Sequence, residues 1–126
     1  MTSSKDLILA IDNGTQSIKV ILFDLHGDII AKSQLTFKPY IAQHPGWAEQ
    51  EPGYFWEQLA AACQQLWQHP NADKSRIAAV TLTTQRGTVV NVDHNGTPLR
   101  PAITWMDNRR TLAKPDLSLK WRAAFR

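Results

Sequence analysis

A chain of 126 residues is long enough for one ordinary hydrophobic core and too short for the two-domain cleft with which most enzymes handle nucleotides. Its 43% apolar and 20% charged residues exclude collagen-like, disordered and membrane-spanning classes, and its apolar runs, such as residues 7–11 and 20–23, fall far short of the roughly 20 residues that a spanning helix needs. The net charge of +3 is unevenly held, since residues 1–99 carry seven Lys/Arg against nine Asp/Glu and residues 100–126 carry seven against two. A basic block of that kind either marks a phosphate-binding face or waits for acidic partners outside it.

Met-Thr-Ser-Ser-Lys-Asp leads into a short apolar run that meets Asp12, which is not the layout of a secretory signal. A cytoplasmic protein is the expectation. Cys63 is the single cysteine, so there is no intrachain disulfide and no cysteine-based zinc cage.

In chain order, residues 7–12 form a near-continuous apolar run ending in a carboxylate, which predicts a buried strand with its polar residue at the open end. Asn13-Gly14-Thr15 breaks it as a tight turn, residues 18–24 predict a second strand, residues 25–28 another turn, and residues 29–38 a third strand. Three sequential antiparallel strands make a meander. Pro39, Pro45, Gly46, Pro52 and Gly53 then mark a long surface loop. A helix follows, with Glu51 placed to cap it, Pro52 in its first turn, and Phe55, Leu59, Ala62, Cys63, Leu66 and Trp67 on one face; it should end near His69-Pro70. Residues 77–83 predict a further strand, and residues 89–93 and 99–105 flank Asn95-Gly96, a strong hairpin signal. The pattern is β-β-β-α-β followed by a hairpin. From residue 107 to 126 the chain is polar and basic, with Leu117, Leu119, Trp121 and Phe125 in no sustained period; it suits a surface that expects a partner or a terminal helix lying on the sheet.

The segment Asp12-Asn13-Gly14-Thr15-Gln16-Ser17-Ile18-Lys19 concentrates chemistry around one turn. Gly14 permits a positive φ and a close backbone approach to a phosphate, Thr15 and Ser17 can donate from their hydroxyls, Lys19 can neutralise charge, and Asp12 can hold a hydrated Mg²⁺. Composition alone is equally consistent with an ordinary β-hairpin that binds nothing.

This Asp-x-Gly-Thr-x-Ser-x-Lys turn resembles the first phosphate loop of the actin-like ATPase superfamily and, more specifically, that of the FGGY carbohydrate kinases. Three further segments follow that family's order: residues 44–52 (His-Pro-Gly-Trp-Ala-Glu-Gln-Glu-Pro) before the first helix, residues 83–87 (Thr-Thr-Gln-Arg-Gly) after the fourth strand, and residues 103–111 (Ile-Thr-Trp-Met-Asp-Asn-Arg-Arg-Thr) after the hairpin. The resemblance runs from about residue 7 to residue 111 and leaves 112–126 as a basic tail at a truncation.

The resemblance implies an α/β, RNase H-like N-terminal half-domain of a cytoplasmic, homo-oligomeric kinase that uses ATP and Mg²⁺ to phosphorylate a hydroxyl of a sugar or polyol, without nucleic acid or membrane. It implies that Asp12 lies near the metal, that Gly14, Thr15, Gln16, Ser17 and Lys19 surround the ATP phosphates, and that Arg86 and Trp105 face the sugar with Gln85 and Asp107 supporting them. Glycerol kinases carry a Glu after the Gln-Arg pair, and xylulose kinases a Met-His in place of Arg and the next residue. This chain has Arg86 followed by Gly87, and the glycine offers no side chain to a hydroxyl and leaves room, so neither substrate is implied. Family members are several-fold longer, and their catalytic Asp, adenosine-binding domain and second phosphate loop have no counterpart up to Arg126, so the chain by itself is expected to be inactive.

Two rival readings come from other classes. A compact resolvase-like nuclease of the RNase H fold would use Asp12, Glu57 and Asp107 as two-metal carboxylates and the basic tail for phosphates. A non-enzymatic remnant or interaction module would share every feature through Thr111.

Overall fold

The computed structural model describes residues 4–110, and the expectations for the basic tail, including Leu117, Leu119, Trp121 and Phe125, lie outside them. Strand β1 (Leu7–Asn13) is followed by β2 (Ser17–Asp24) and β3 (Ile29–Thr36), a two-residue β4 (Glu49–Gln50), helix α1 (Pro52–Leu66), β5 (Ile77–Thr84) and a two-residue β6 (Ala102–Ile103). The main sheet has the order β3-β2-β1-β5, with β1–β2 and β2–β3 antiparallel and β1–β5 parallel. The α/β meander-plus-helix expectation holds.

The period-two pattern decides which face is buried. In β2, Ile18, Val20 and Leu22 are fully buried on one face while Lys19, Ile21 and Phe23 stand on the other. They meet Leu7 and Leu9 of β1, Ala31 of β3, and Ala62 and Leu66 of α1. The one polar group buried among them, the Ser33 hydroxyl, donates to Gln65 Oε1 at 2.9 Å, so it is not orphaned. Phe37, just past β3, turns inward and packs edge-on against Tyr54 and Phe55 of α1. That inward turn ends β3 at Thr36 rather than at residue 38, and the Phe37 N–H leaves the ladder for the Gln16 carbonyl at 2.8 Å.

The ends of α1 differ from expectation in instructive ways. Glu51 occupies the N-cap position, but its side chain makes no capping bond; Pro52 has no N–H to satisfy, and the Glu51 N–H donates to Gln50 Oε1. The helix closes at Leu66, short of His69-Pro70, because Gln68 and His69 bond carbonyls three residues back and tighten the last turn. Beyond it, Arg76 grips Asp6 through two bonds of 2.8 and 2.7 Å, tying the start of β5 to the start of β1.

The Pro/Gly-rich loop is not wholly irregular, since it contains β4. The hairpin also differs in detail. Residues 89–103 double back through single bridges, Val89 with Ile103 and Val92 with Pro98, rather than through continuous strands. The Asn95-Gly96 turn forms as expected, with Gly96 at φ 81° and the Asp93 carboxylate accepting from the Asn95 and Thr97 N–H groups. Its returning arm is claimed elsewhere, since β6 pairs with β4.

Helix α1 packs mainly on β2 and β3, and among the residues of β5 only Ile77 packs against the core. Val80 and Leu82, level with Leu9 and Ile11 in the parallel ladder, therefore remain 61% and 59% exposed. Two substitutions separate these environments. Leu22→Ala, in the fully buried centre, should destabilise by about 2–5 kcal/mol, read as a lowered urea midpoint. Leu82→Ala, although it removes the same atoms, should stay within about 0.5 kcal/mol of the parent; equal losses would mean that β5 is covered.

Candidate functional site

The parallel pairing of β1 with β5 brings the loops at their carboxyl ends side by side, with the Gln85 N–H donating to the Asn13 carbonyl at 3.2 Å. The turn between β1 and β2 is closed by the Gly14 N–H on the Ser17 carbonyl at 3.1 Å. Gly14 does not adopt a positive φ, which corrects the sequence expectation. Its need is close approach: a Cβ there would stand 3.1 Å from the Ser17 carbonyl oxygen, inside ordinary van der Waals contact, so the turn would have to give by a few tenths of an ångström.

Around this turn, Asp12 and Lys19 are cross-strand partners and form a 3.1 Å ion pair, both ends partly exposed. Gln16 is exposed, and Ser17 Oγ accepts from Gln34 Nε2 at 3.3 Å. Asn13 Oδ1 is buried and accepts no hydrogen bond among the described residues. Thr15 is the hub: its hydroxyl donates to Gln85 Oε1 at 3.2 Å and accepts from Trp105 Nε1 at 2.8 Å. Residues 15, 85 and 105 come from three distant segments and meet at one oxygen.

Gly87 stands at φ 76°, and a Cβ on it would lie 3.3 Å from Trp105 Cβ. The room expected from a glycine here is taken by Trp105, and the left-handed backbone disfavours any other residue. Arg86 is exposed, and among the described residues no carboxylate lies within ion-pair distance of it.

Asp107 faces away from the turn. Its Oδ2 accepts the Ala48 N–H at 2.7 Å, and Arg109 grips both oxygens, Nε to Oδ1 at 2.7 Å and Nη2 to Oδ2 at 2.6 Å. The same Nη2 reaches Glu49 Oε1 at 2.8 Å, Arg100 pairs with that oxygen too, and the Arg109 guanidinium lies 3.9 Å above the Trp47 ring. The side chains of Glu49 and Asp107 are only 4% and 2% exposed. Arg109 holds both carboxyls well below the usual carboxylate range, against the desolvation that would raise them. Sequence reasoning gave no role to Glu49, Arg100, Arg109 or Trp47, although three of them stand inside segments it singled out. No local pattern marks them, since the four meet only when segments 47–49 and 100–109 come together.

A cleft of about 330 Å³ opens beside the turn, with Thr15, Gln16, Gln85, Thr104 and Met106 on one side and Phe37, Tyr40 and Phe55 on another. Its size suits a small ligand. Asp12, Lys19, Arg86, Trp105 and Asp107 do not line it, so the expected residues divide between the cleft and its surroundings. Among the described residues no group of three His, Cys, Asp or Glu converges on a metal position. Glu57 is an exposed helix residue and Asp107 is committed to Arg109, so the nuclease triad with Asp12 does not assemble.

Because Glu49 and Asp107 are depressed in the folded state, they contribute stability that is complete above their unfolded values, about pH 4, and that is lost as pH falls toward their folded values. Asp6, Asp24 and Asp73 shift the same way. The urea midpoint should thus be flat between about pH 5 and 7 and fall in more acid solution, with a shallower fall in Asp107→Asn; an identical slope would deny the Asp107 contribution. Gly87→Ala should cost about 1–2 kcal/mol from its backbone conformation, with a change in Trp105 fluorescence.

The model of the FGGY family of carbohydrate kinases, N-terminal domain, matches residues 7–119. A glycerol kinase of Alkalilimnicola ehrlichii is 38% identical over 111 residues, covering 87% of this chain and 22% of that protein. A xylulose kinase of Staphylococcus epidermidis is 35% identical over 108 residues, covering 86% and 22%. The crystal structure of a xylulose kinase from Rhodospirillum rubrum superposes with a TM-score of 0.74 at 30% identity, over 82% of this chain and 21% of that one. The chain thus spans about a fifth of the length of these relatives, and its sheet and helix are the mixed α/β arrangement of the actin-like ATPase fold. By its matched segments and by its fold, this chain belongs to the FGGY family of carbohydrate kinases.

Proposed function

We propose that this chain is the phosphate-loop portion of an ATP-dependent sugar or polyol kinase of the glycerol and xylulose kinase type. The observation that supports it most is the meeting of Thr15, Gln85 and Trp105 at one hydroxyl, which joins the turn read as phosphate-binding to both segments read as sugar-facing. Carbohydrate kinases of this family use ATP.

The residues present fit the phosphates and a Mg²⁺. Without a Cβ, Gly14 lets the turn close on the Ser17 carbonyl, and the partly exposed Asp12 carboxylate at the end of β1 suits a hydrated cation once Lys19 leaves it. One or two oxygen ligands and retained waters are what Mg²⁺ asks for, and Asp12 can be one of them. When bound, ATP and Mg²⁺ supply the activated phosphoryl group and charge neutralisation for its transfer.

In this reading Asp12 orients the hydrated cation, and the side chains of Gln16 and Ser17 with the turn's backbone N–H groups, that of Thr15 included, hold the phosphate oxygens. Lys19, released from Asp12, neutralises the charge that develops on transfer. Trp105 and Arg86 bind and orient the sugar or polyol, Gln85 fixes the Thr15 hydroxyl, and Asp107 supports the segment that carries Trp105. A hydroxyl of the substrate must reach a general base to lose its proton, and no residue here matches the family base. The chain by itself is therefore inactive on this reading. Gly87 offers no side chain to the substrate and Trp105 fills its place, so discrimination among sugars rests on Arg86, Trp105 and residues of the remaining four-fifths of such an enzyme.

The test has two arms. The 126-residue chain, given ATP, Mg²⁺ and glycerol or xylulose, should release no phosphorylated product, and robust turnover would overturn the division of labour. In a complete enzyme carrying this segment, Lys19→Met should lower kcat about 10²-fold while KM for the polyol changes little; an unchanged kcat would remove Lys19 from the phosphoryl site.

A further inference from the structure

Trp105 is 56% exposed, so packing alone does not hold its ring. What fixes it is the segment beneath. Thr104 donates from both its N–H and its hydroxyl to the Ala48 carbonyl, each at 3.0 Å, and Asp107 accepts the Ala48 N–H, so Ala48 is held on both sides of its backbone. This join brings two carboxylates, Glu49 and Asp107, out of water close to one another. Two such anions repel unless a cation lies between them, and Arg109 is the residue that touches both. Arg100 reaches Glu49 only.

We propose that Arg109 is a positioning residue: by bridging Glu49 and Asp107 under the segment 104–109, it holds the Trp105 indole on Thr15 of the phosphate loop. The inference rests on the kinase reading for the roles of Trp105 and Thr15. Its physical content is separate, namely that an internal ion cluster sets the place of an exposed aromatic. Lysine would keep the charge but not the planar fork that engages both oxygens of Asp107 while stacking on Trp47.

The test is a set of proton–nitrogen correlation spectra of the full chain in its indole region, with Trp105→Phe identifying the Trp105 resonance and Thr15→Val marking its position without the Thr15 bond. Arg109→Met should move that resonance in the direction of Thr15→Val and speed its exchange with solvent about five- to tenfold, the loss of one hydrogen bond of ordinary strength. Amide resonances of β1, β2 and β3 should stay in place, and Arg109→Lys should restore part of the parent position. An indole unmoved in folded Arg109→Met overturns the proposal. If Arg109→Met does not fold, Glu49→Gln gives the reading, and an unmoved indole in it overturns the proposal equally. No nucleotide or sugar enters the measurement, so an unmoved indole leaves the kinase reading standing, and a failed kinase assay leaves this one standing.

Discussion

The parallel pairing of β1 with β5 is the constraint on which the rest depends. Parallel strands share a carboxyl end, and loops leaving that end emerge together. Asp12, Asn13 and the turn that follows thereby stand beside Gln85, Arg86 and Gly87, although some 70 residues separate them, as in the Thr15–Gln85 bond. An antiparallel partner in the same place would send its following loop to the opposite end of the strands. The Arg76–Asp6 fork at the other end secures the alignment where the ladder shifts register, between Leu7 and Ile8.

A second tie works by charge rather than by the ladder. Pairs β4 and β6 contribute two residues each, too few to hold a loop by backbone bonds alone. The buried Glu49–Arg109–Asp107 cluster and the double use of Ala48 add the rest. Together they bring Trp105 over Gly87 and onto Thr15, so the two halves of the candidate site, one built on the sheet and one on the loops, share a hydroxyl.

Much of this was legible from residue order. Ile18, Val20 and Leu22 alternate in a way that only a half-buried strand explains, and Phe55, Leu59, Ala62 and Leu66 recur as one helical face. The candidate residues were found because four local segments keep a family's order. Other features were not legible for physical reasons. A glycine required for positive φ and one required for close approach look alike in a sequence, and Gly14 proved to be the second kind while Gly87 is both. Two-residue strands carry no period. An ion cluster assembled from positions 49, 100, 107 and 109 has no local signature, since each charge reads as an ordinary solvated residue until the fold removes water from it.

The sequence by itself determined the meander, the helix, the turn residues and the family to which they belong, because those depend on side-chain periodicity and short motifs that neighbours in the chain decide. Only the tertiary structure decided that Asp107 serves Ala48 and Arg109 rather than the cleft, that Trp105 occupies the space over Gly87, and that Thr15 is the oxygen where the segments meet. Those outcomes turn on which groups lose water together, and desolvation is a property of the assembled fold rather than of any stretch of chain.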